Sequence, residues 1–195
     1  MSARLVCLIS GNGSNLQAIL DACAAGELHA RVVSVISNNA DAFGLTRARH
    51  AGVEAIHFPK LEEESRPEYD SRLANCVSAY TPDYIVLAGW MRLLTSNFLN
   101  HFPNRVINLH PALPNTFPGT HAIERAYDSY QRGEIKHTGV MVHLVPNEGV
   151  DNGPVLAAEM LPIFKEDTLE SLEERIHVTE HKLLVKTLKE MIIKI

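Results

Sequence analysis

The chain has 195 residues, of which 46% are hydrophobic and 21% charged, and its formal net charge is -5. This suffices for one domain with a full core, while the acidic balance excludes the broad basic face that nucleic-acid binding needs. Cys7, Cys23 and Cys76 are odd in number and lack CxxC spacing, which excludes a disulfide framework and fits a reducing cytoplasm.

The first apolar run, residues 5–10, reads as a strand buried on both faces. It is too short for a signal sequence or a membrane span, so no membrane partner is expected. Cys7 within it reads as a small buried hydrophobe. Residues 11–14 break the run, and 15–25 form a helix with Leu16, Ile19, Leu20 and Cys23 on one face, stopped by Gly26. Strand 31–37, short helix 44–51, strand 54–58, helix 67–80, strand 84–88, helix 95–102 and strand 105–109 follow, and Pro111 and Pro114 stop the last. The second half has a polar helix 121–132, then strands 140–145 and 155–161 joined by a loop rich in Pro, Asn and Gly. A long amphipathic helix closes the chain over 168–194, with Asp167 and Glu170 near its start. The alternation predicts an α/β fold in a single domain over 1–195, with a mainly parallel central sheet flanked by helices.

Two places carry chemistry. Ser10-Gly11-Asn12-Gly13-Ser14-Asn15 joins the first strand to the first helix. Glycines let backbone N–H groups approach an anion, and the helix N-terminus adds its positive end. The third glycine of G-x-G-x-x-G would fall at Leu16, strand 31–37 is followed by Asn38 and Asn39 with no carboxylate for a ribose, and no Gly-Lys-Ser/Thr follows. A site for one phosphate remains, set against a plain glycine-rich turn.

The second place is Asn108-Leu109-His110-Pro111, where a strand ends. Alternation puts Asn108 and His110 on one face, at the strand end where open α/β sheets bind ligands. An amide and an imidazole suit attack on a carbonyl-like carbon: one donates to a developing oxyanion, the other moves a proton. Asp151, in the 146–154 loop, is expected to raise the histidine pKa by stabilising the imidazolium. His110, His121, His137 and His143 are too scattered for a zinc motif, so no metal is expected, and no G-x-S-x-G elbow marks a serine hydrolase. On the closing helix Glu180 interrupts the apolar stripe of Leu172, Ile176, Leu183, Leu184 and Leu188. A carboxylate there needs a cationic partner, either a bound ammonium or a structural salt bridge.

Four segments together resemble the folate-dependent formyltransferase family, in particular its glycinamide ribonucleotide branch. They are residues 8–18, residues 83–92 (Asp83-Tyr84-Ile85-Val86-Leu87-Ala88-Gly89-Trp90-Met91-Arg92), Ile107-Asn108-Leu109-His110-Pro111, and Gly149-Val150-Asp151-Asn152-Gly153-Pro154-Val155. The resemblance spans 5–181 and implies a Rossmann-like formyltransferase fold. It also implies transfer of the formyl group of 10-formyltetrahydrofolate to the amine of glycinamide ribonucleotide, without a metal. Its implied site has Asn108, His110 and Asp151 as catalytic residues, and Gly13, Ser14 and Asn15 on the substrate phosphate. Glu180 would lie at the amine end. Arg66, Met91, Arg92, Leu93 and Leu94 would contact the folate together with Asn108, with Asn147, Glu148, Val150 and Asp151 shaping the pterin pocket.

The chain departs from the family pattern in three places: Ala112-Leu113-Pro114-Asn115 replaces Ser-Leu-Leu-Pro, the 143–151 stretch is one residue longer, and His177 stands where glutamine is common. Related activities would bring other features. A methionyl-tRNA formyltransferase is expected to carry a further C-terminal domain and a basic face, and a formyltetrahydrofolate hydrolase an N-terminal regulatory domain. A non-catalytic nucleotide- or folate-binding protein would not need the trio. Either a monomer or a homodimer fits.

Overall fold

The structure, a computed structural model, describes residues 2–193. Its spine is β1 (Ala3–Ile9), whose side chains alternate between two cores: Leu5, Cys7 and Ile9 enter one, Val6 and Leu8 the other. A strand buried on both faces needs layers above and below it. On the first face lie α1 (Ser14–Ala24), α2 (Phe43–His50), α5 (Ala122–Gln131) and α6 (Leu169–Ile192); on the second lie α3 (Arg66–Ser78) and α4 (Ser96–Leu99). The other strands are β2 (Ala30–Ser37), β3 (Ala55–His57), β4 (Tyr84–Leu87), β5 (Val106–His110), β6 (His137–Leu144) and β7 (Val155–Pro162).

The sheet order is β3-β2-β1-β4-β5-β6-β7. The first five strands are parallel, whereas β6 is antiparallel to both β5 and β7. The expected mainly parallel sheet is therefore present, with an antiparallel pair of strands at one edge. Helix starts follow the local chemistry. Ser65 and Glu68 form a capping box at α3 with Pro67 in its first turn, and Thr168 and Ser171 form another at α6. Among the described residues no helix is long and apolar enough to cross a membrane.

Three elements differ from the sequence reading. The expected helix 95–102 is the single turn Ser96–Leu99, because the chain turns through 100–104 around Pro103; Phe98 and Phe102 still reach the core. Strand β6 begins at His137, three residues early. Thr138 is buried there, and Gly139 lies so close to β7 that a Cβ would sit 2.3 Å from the Glu159 carbonyl oxygen. His121 lies outside α5, with φ 56° at the helix entry. The expected last helical residue, 194, lies outside the described residues.

One glycine pair fixes how the first loop meets the second helix. Gly13 has φ +75°, and a Cβ on it would stand 2.7 Å from Gly44 Cα at the start of α2. Gly44 N donates to the Gly11 carbonyl at 3.1 Å. Gly13→Ala incurs a left-handed penalty of about 1–2 kcal/mol before the clash is counted. It should lower Tm by about 2–8 °C in a calorimetric scan; an unchanged Tm would show that the loop relaxes freely.

Candidate active site

The chain leaves β1 for β2 on one side and returns to β4 on the other, so a crevice opens where these strands end. Hydrogen bonds stitch its walls together. Ser10 N donates to the Gly89 carbonyl at 2.9 Å, Met91 N donates to Ser10 Oγ at 2.9 Å, and Ser10 Oγ donates to Asn38 Oδ1 at 2.6 Å. The next strand, β5, brings Asn108 and His110 to the same end.

Both side chains converge on Asp151. Asn108 Nδ2 donates to Asp151 Oδ1 at 3.1 Å, and His110 Nδ1 lies 3.3 Å from Asp151 Oδ2. Gly119 N donates to the same Oδ2 at 2.8 Å. His143 Nε2 lies 3.4 Å from Oδ1 and 3.2 Å from Asn108 Nδ2. His143 Nδ1 is 2.8 Å from the Leu144 carbonyl oxygen, so that nitrogen carries a proton and, in the neutral ring, Nε2 accepts from Asn108. The amide orientation follows, since a flip would set the Asn108 oxygen against the carboxylate. Both Asn108 amide hydrogens are thus engaged, and donation to an oxyanion requires one of them to be exchanged.

Sequence reasoning had seen His143 only as one of several scattered histidines. Its place comes from the antiparallel β5–β6 register, which sets it directly opposite Asn108. Thirty-five residues and a helix separate the two, and no local pattern reports that register.

Burial is the largest influence on Asp151 and would raise its pKa. The nearby His143 ring, the Gly119 backbone N–H and the His110 ring outweigh it and hold the carboxyl below its ordinary value. His110 shifts contrary to the sequence expectation. Burial, the largest cause, lowers its pKa more than Asp151 and the Phe117 carbonyl raise it. The expected rise is therefore corrected: at neutral pH this ring is uncharged, with an ionised partner beside it ready to stabilise the cation once formed.

A strained loop holds the other side of His110. Asn115, Phe117 and His121 all have positive φ, at 63°, 45° and 56°. His110 Nε2 lies 3.0 Å from the Phe117 carbonyl oxygen, and Arg125 Nη2 donates to the Phe117 and Pro118 carbonyls at 2.8 and 2.6 Å. Strain of this kind persists only where surrounding contacts over-determine it. The departure at Ala112-Leu113-Pro114-Asn115 leads into this segment.

The glycine loop ends in the N-terminus of α1, with Gly13 at the cap position and Ser14 and Asn15 in the first turn. Gly13 offers no side-chain cap, and Asn15 Oδ1 is buried without a partner. Arg47 donates to the Asn12 carbonyl at 2.9 Å and to Asn12 Oδ1 at 3.0 Å, holding the outer edge of the loop. Glu180 is 4% exposed, and its Oε2 lies 2.7 Å from His177 Nδ1, so a histidine donor occupies one side of this carboxylate.

Between the segment after β4 and the 146–154 loop lies open apolar surface: Met91, Leu93 and Val150 are 72%, 47% and 38% exposed. Leu94 instead points into the core. Arg92 stacks over the Tyr69 ring, 4.5 Å from its centroid, and Arg66 Nε donates to the Leu93 carbonyl at 3.0 Å. Glu148 accepts from Ser96 N at 2.8 Å, tying its loop to α4, while Asn147 Oδ1 accepts from Gly149 N at 2.9 Å within the loop. Among the described residues, no three His, Cys, Asp or Glu side chains are grouped as a metal site.

Residues 3–188 match the model of the formyl transferase family, and the chain belongs to that family. It is 45% identical to the phosphoribosylglycinamide formyltransferase of Dictyostelium discoideum over 97% of this chain and 98% of that protein. It is 41% identical to the protein of that name from Escherichia coli, over 92% and 82% of the two chains. Among solved structures, glycinamide ribonucleotide transformylase 1 from Symbiobacterium toebii superposes with a TM-score of 0.90 at 42% identity, covering 96% of this chain and 86% of that one. The sheet and its flanking helices form the Rossmann-like formyltransferase fold.

Removing the Asp151 charge should depress His110 further, because burial then acts without its main opponent. In Asp151→Asn, an NMR titration of the His110 ring should give a midpoint below that of the wild type. An unchanged or higher midpoint would show that the carboxylate does not act on the ring.

Proposed function

We infer that this chain transfers a formyl group to the amine of glycinamide ribonucleotide, a step of purine biosynthesis, with 10-formyltetrahydrofolate as the donor. The observation that carries this reading is the convergence of Asn108 and His110 on Asp151 beside the crevice of a formyl transferase sheet. In this reading Gly13, Ser14 and Asn15 hold the substrate phosphate at the positive end of α1, and Glu180 contacts the same substrate.

The donor's flat ring system fits the open strip of Met91, Leu93 and Val150. Arg66 and Arg92 shape that wall from the β4 side, Leu94 anchors it in the core, and Asn147 and Glu148 shape it from the opposite loop. When bound there, the donor supplies an activated formyl carbon. No metal enters the scheme.

The chain's own residues have three tasks. The crevice positions two small molecules, which by analogy with intramolecular reactions removes up to about 7–11 kcal/mol of barrier. The amine nitrogen then attacks the formyl carbon, and Asn108 exchanges one of its amide bonds for the oxyanion that forms. His110, uncharged at the outset with its Nε2–H on the Phe117 carbonyl, takes at Nδ1 the proton that the amine sheds and passes it to the leaving nitrogen as the old C–N bond breaks. Asp151 stabilises the imidazolium between the two transfers.

The test is formyl transfer by the purified protein with the ribonucleotide, with initiator methionyl-tRNA and with water as acceptors. Turnover should require the ribonucleotide. Ser14→Ala should raise KM for the ribonucleotide about five- to tenfold and leave KM for the folate unchanged. Transfer only to tRNA or to water would contradict the function, and equal weakening of both substrates would remove Ser14 from the phosphate site.

A further inference from the structure

Glu180 is a nearly sealed carboxylate with one visible partner. Among the described residues its only side-chain hydrogen bond is to His177 Nδ1 at 2.7 Å, which uses Oε2. Oε1 is not among the fully buried unpaired atoms, so it remains reachable from outside the chain. A buried charge with a single hydrogen bond is costly unless a second donor arrives.

Its position in the fold shows where that donor comes from. Strand β7 runs in the same direction as β1, because two antiparallel steps separate it from the parallel set. Helices α1 and α6 each turn back from these strands over the same face, so they run parallel, and both line one groove of about 580 Å³. Ala18 to Ala25 of α1 line it against His181 to Lys189 of α6. One helical turn back from Ala18 is Ser14, and one turn back from His181 is His177. The His177–Glu180 pair therefore stands beside the first turn of α1, where the phosphate is proposed to dock.

We propose that His177 is a positioning residue for the phosphorylated substrate: its Nδ1–H bond fixes Glu180 Oε2, holding Oε1 toward a hydrogen-bond donor of the ligand at the N-terminal end of α1. This rests on the phosphate-site reading above. The ring is suited to the task. It is half exposed, so it reaches the carboxylate from the solvent side, and Glu180 holds its pKa above the usual histidine value. Without that bond the carboxylate is free to turn, and the ligand meets an unaligned acceptor. The neighbouring His181 does not substitute, because its Nε2 is buried and makes no hydrogen bond.

The experiment compares His177→Ala, His177→Gln and Ser14→Ala by steady-state formyl transfer, with Tm measured for each. His177→Ala should raise KM for the ribonucleotide about tenfold, leaving kcat and KM for the folate near wild type, while Tm falls because the buried Glu180 charge loses its partner. His177→Gln, which keeps an N–H donor of similar reach, should restore most of the loss. An unchanged ribonucleotide KM in His177→Ala, or a rise that glutamine does not reverse, overturns the proposal. If Ser14→Ala raises that KM while His177→Ala does not, the positioning role fails and the phosphate site stands; if neither does, the phosphate-site reading fails as well.

Discussion

The site depends on one carboxylate. Asp151 receives the Asn108 amide and the Gly119 backbone N–H, and it lies within 3.4 Å of both the His110 and His143 rings. These groups come from β5, the loop after it, β6 and the loop after that, which lie near one another only because β6 folds back antiparallel on β5. A negative charge at this junction is costly in a half-buried setting, and the donors around it are what keep it ionised. The same charge offsets the burial of His110 in part, leaving a neutral ring that can accept a proton and be stabilised when it does.

The rest of the fold supplies rigid walls. Five parallel strands bring the ends of β1, β4 and β5 to one edge of the molecule, and Ser10 ties the first two of them together. Gly13 and Gly44 bring the glycine loop and α2 into backbone contact that any side chain would block. Three left-handed residues, Asn115, Phe117 and His121, fall in the segment after β5, where Arg125 and His110 itself pin the Phe117 carbonyl. Stable framework and strained loop therefore meet at His110.

Much of this was legible in the sequence because the signals were local. Two-sided burial of β1 and the glycine loop each sit within a few consecutive residues, and the strand-end Asn108 and His110 share a face by alternation alone. Glu180 was visible as a charge within an apolar helical stripe. What stayed hidden was set by tertiary register. His143 reaches the site through strand pairing across a long connection, and the early start of β6 depends on Gly139 lying against the Glu159 backbone. The direction of the His110 shift was misjudged because charge proximity can be anticipated from residue types, whereas the depth of burial cannot.

In the proposed mechanism Asp151 supports the reaction by holding Asn108 and His110, without a separate contact to the substrates. Single-turnover formyl transfer, with folding checked for each variant, tests this directly. Asp151→Asn in the wild-type background should slow transfer by orders of magnitude. The same change in an Asn108→Ala/His110→Ala background should cost little more, because groups acting as a unit are strongly non-additive. If Asp151→Asn costs as much in that background as in the wild type, the aspartate acts on the substrates by itself, and the hub at the end of β5 is not the basis of catalysis.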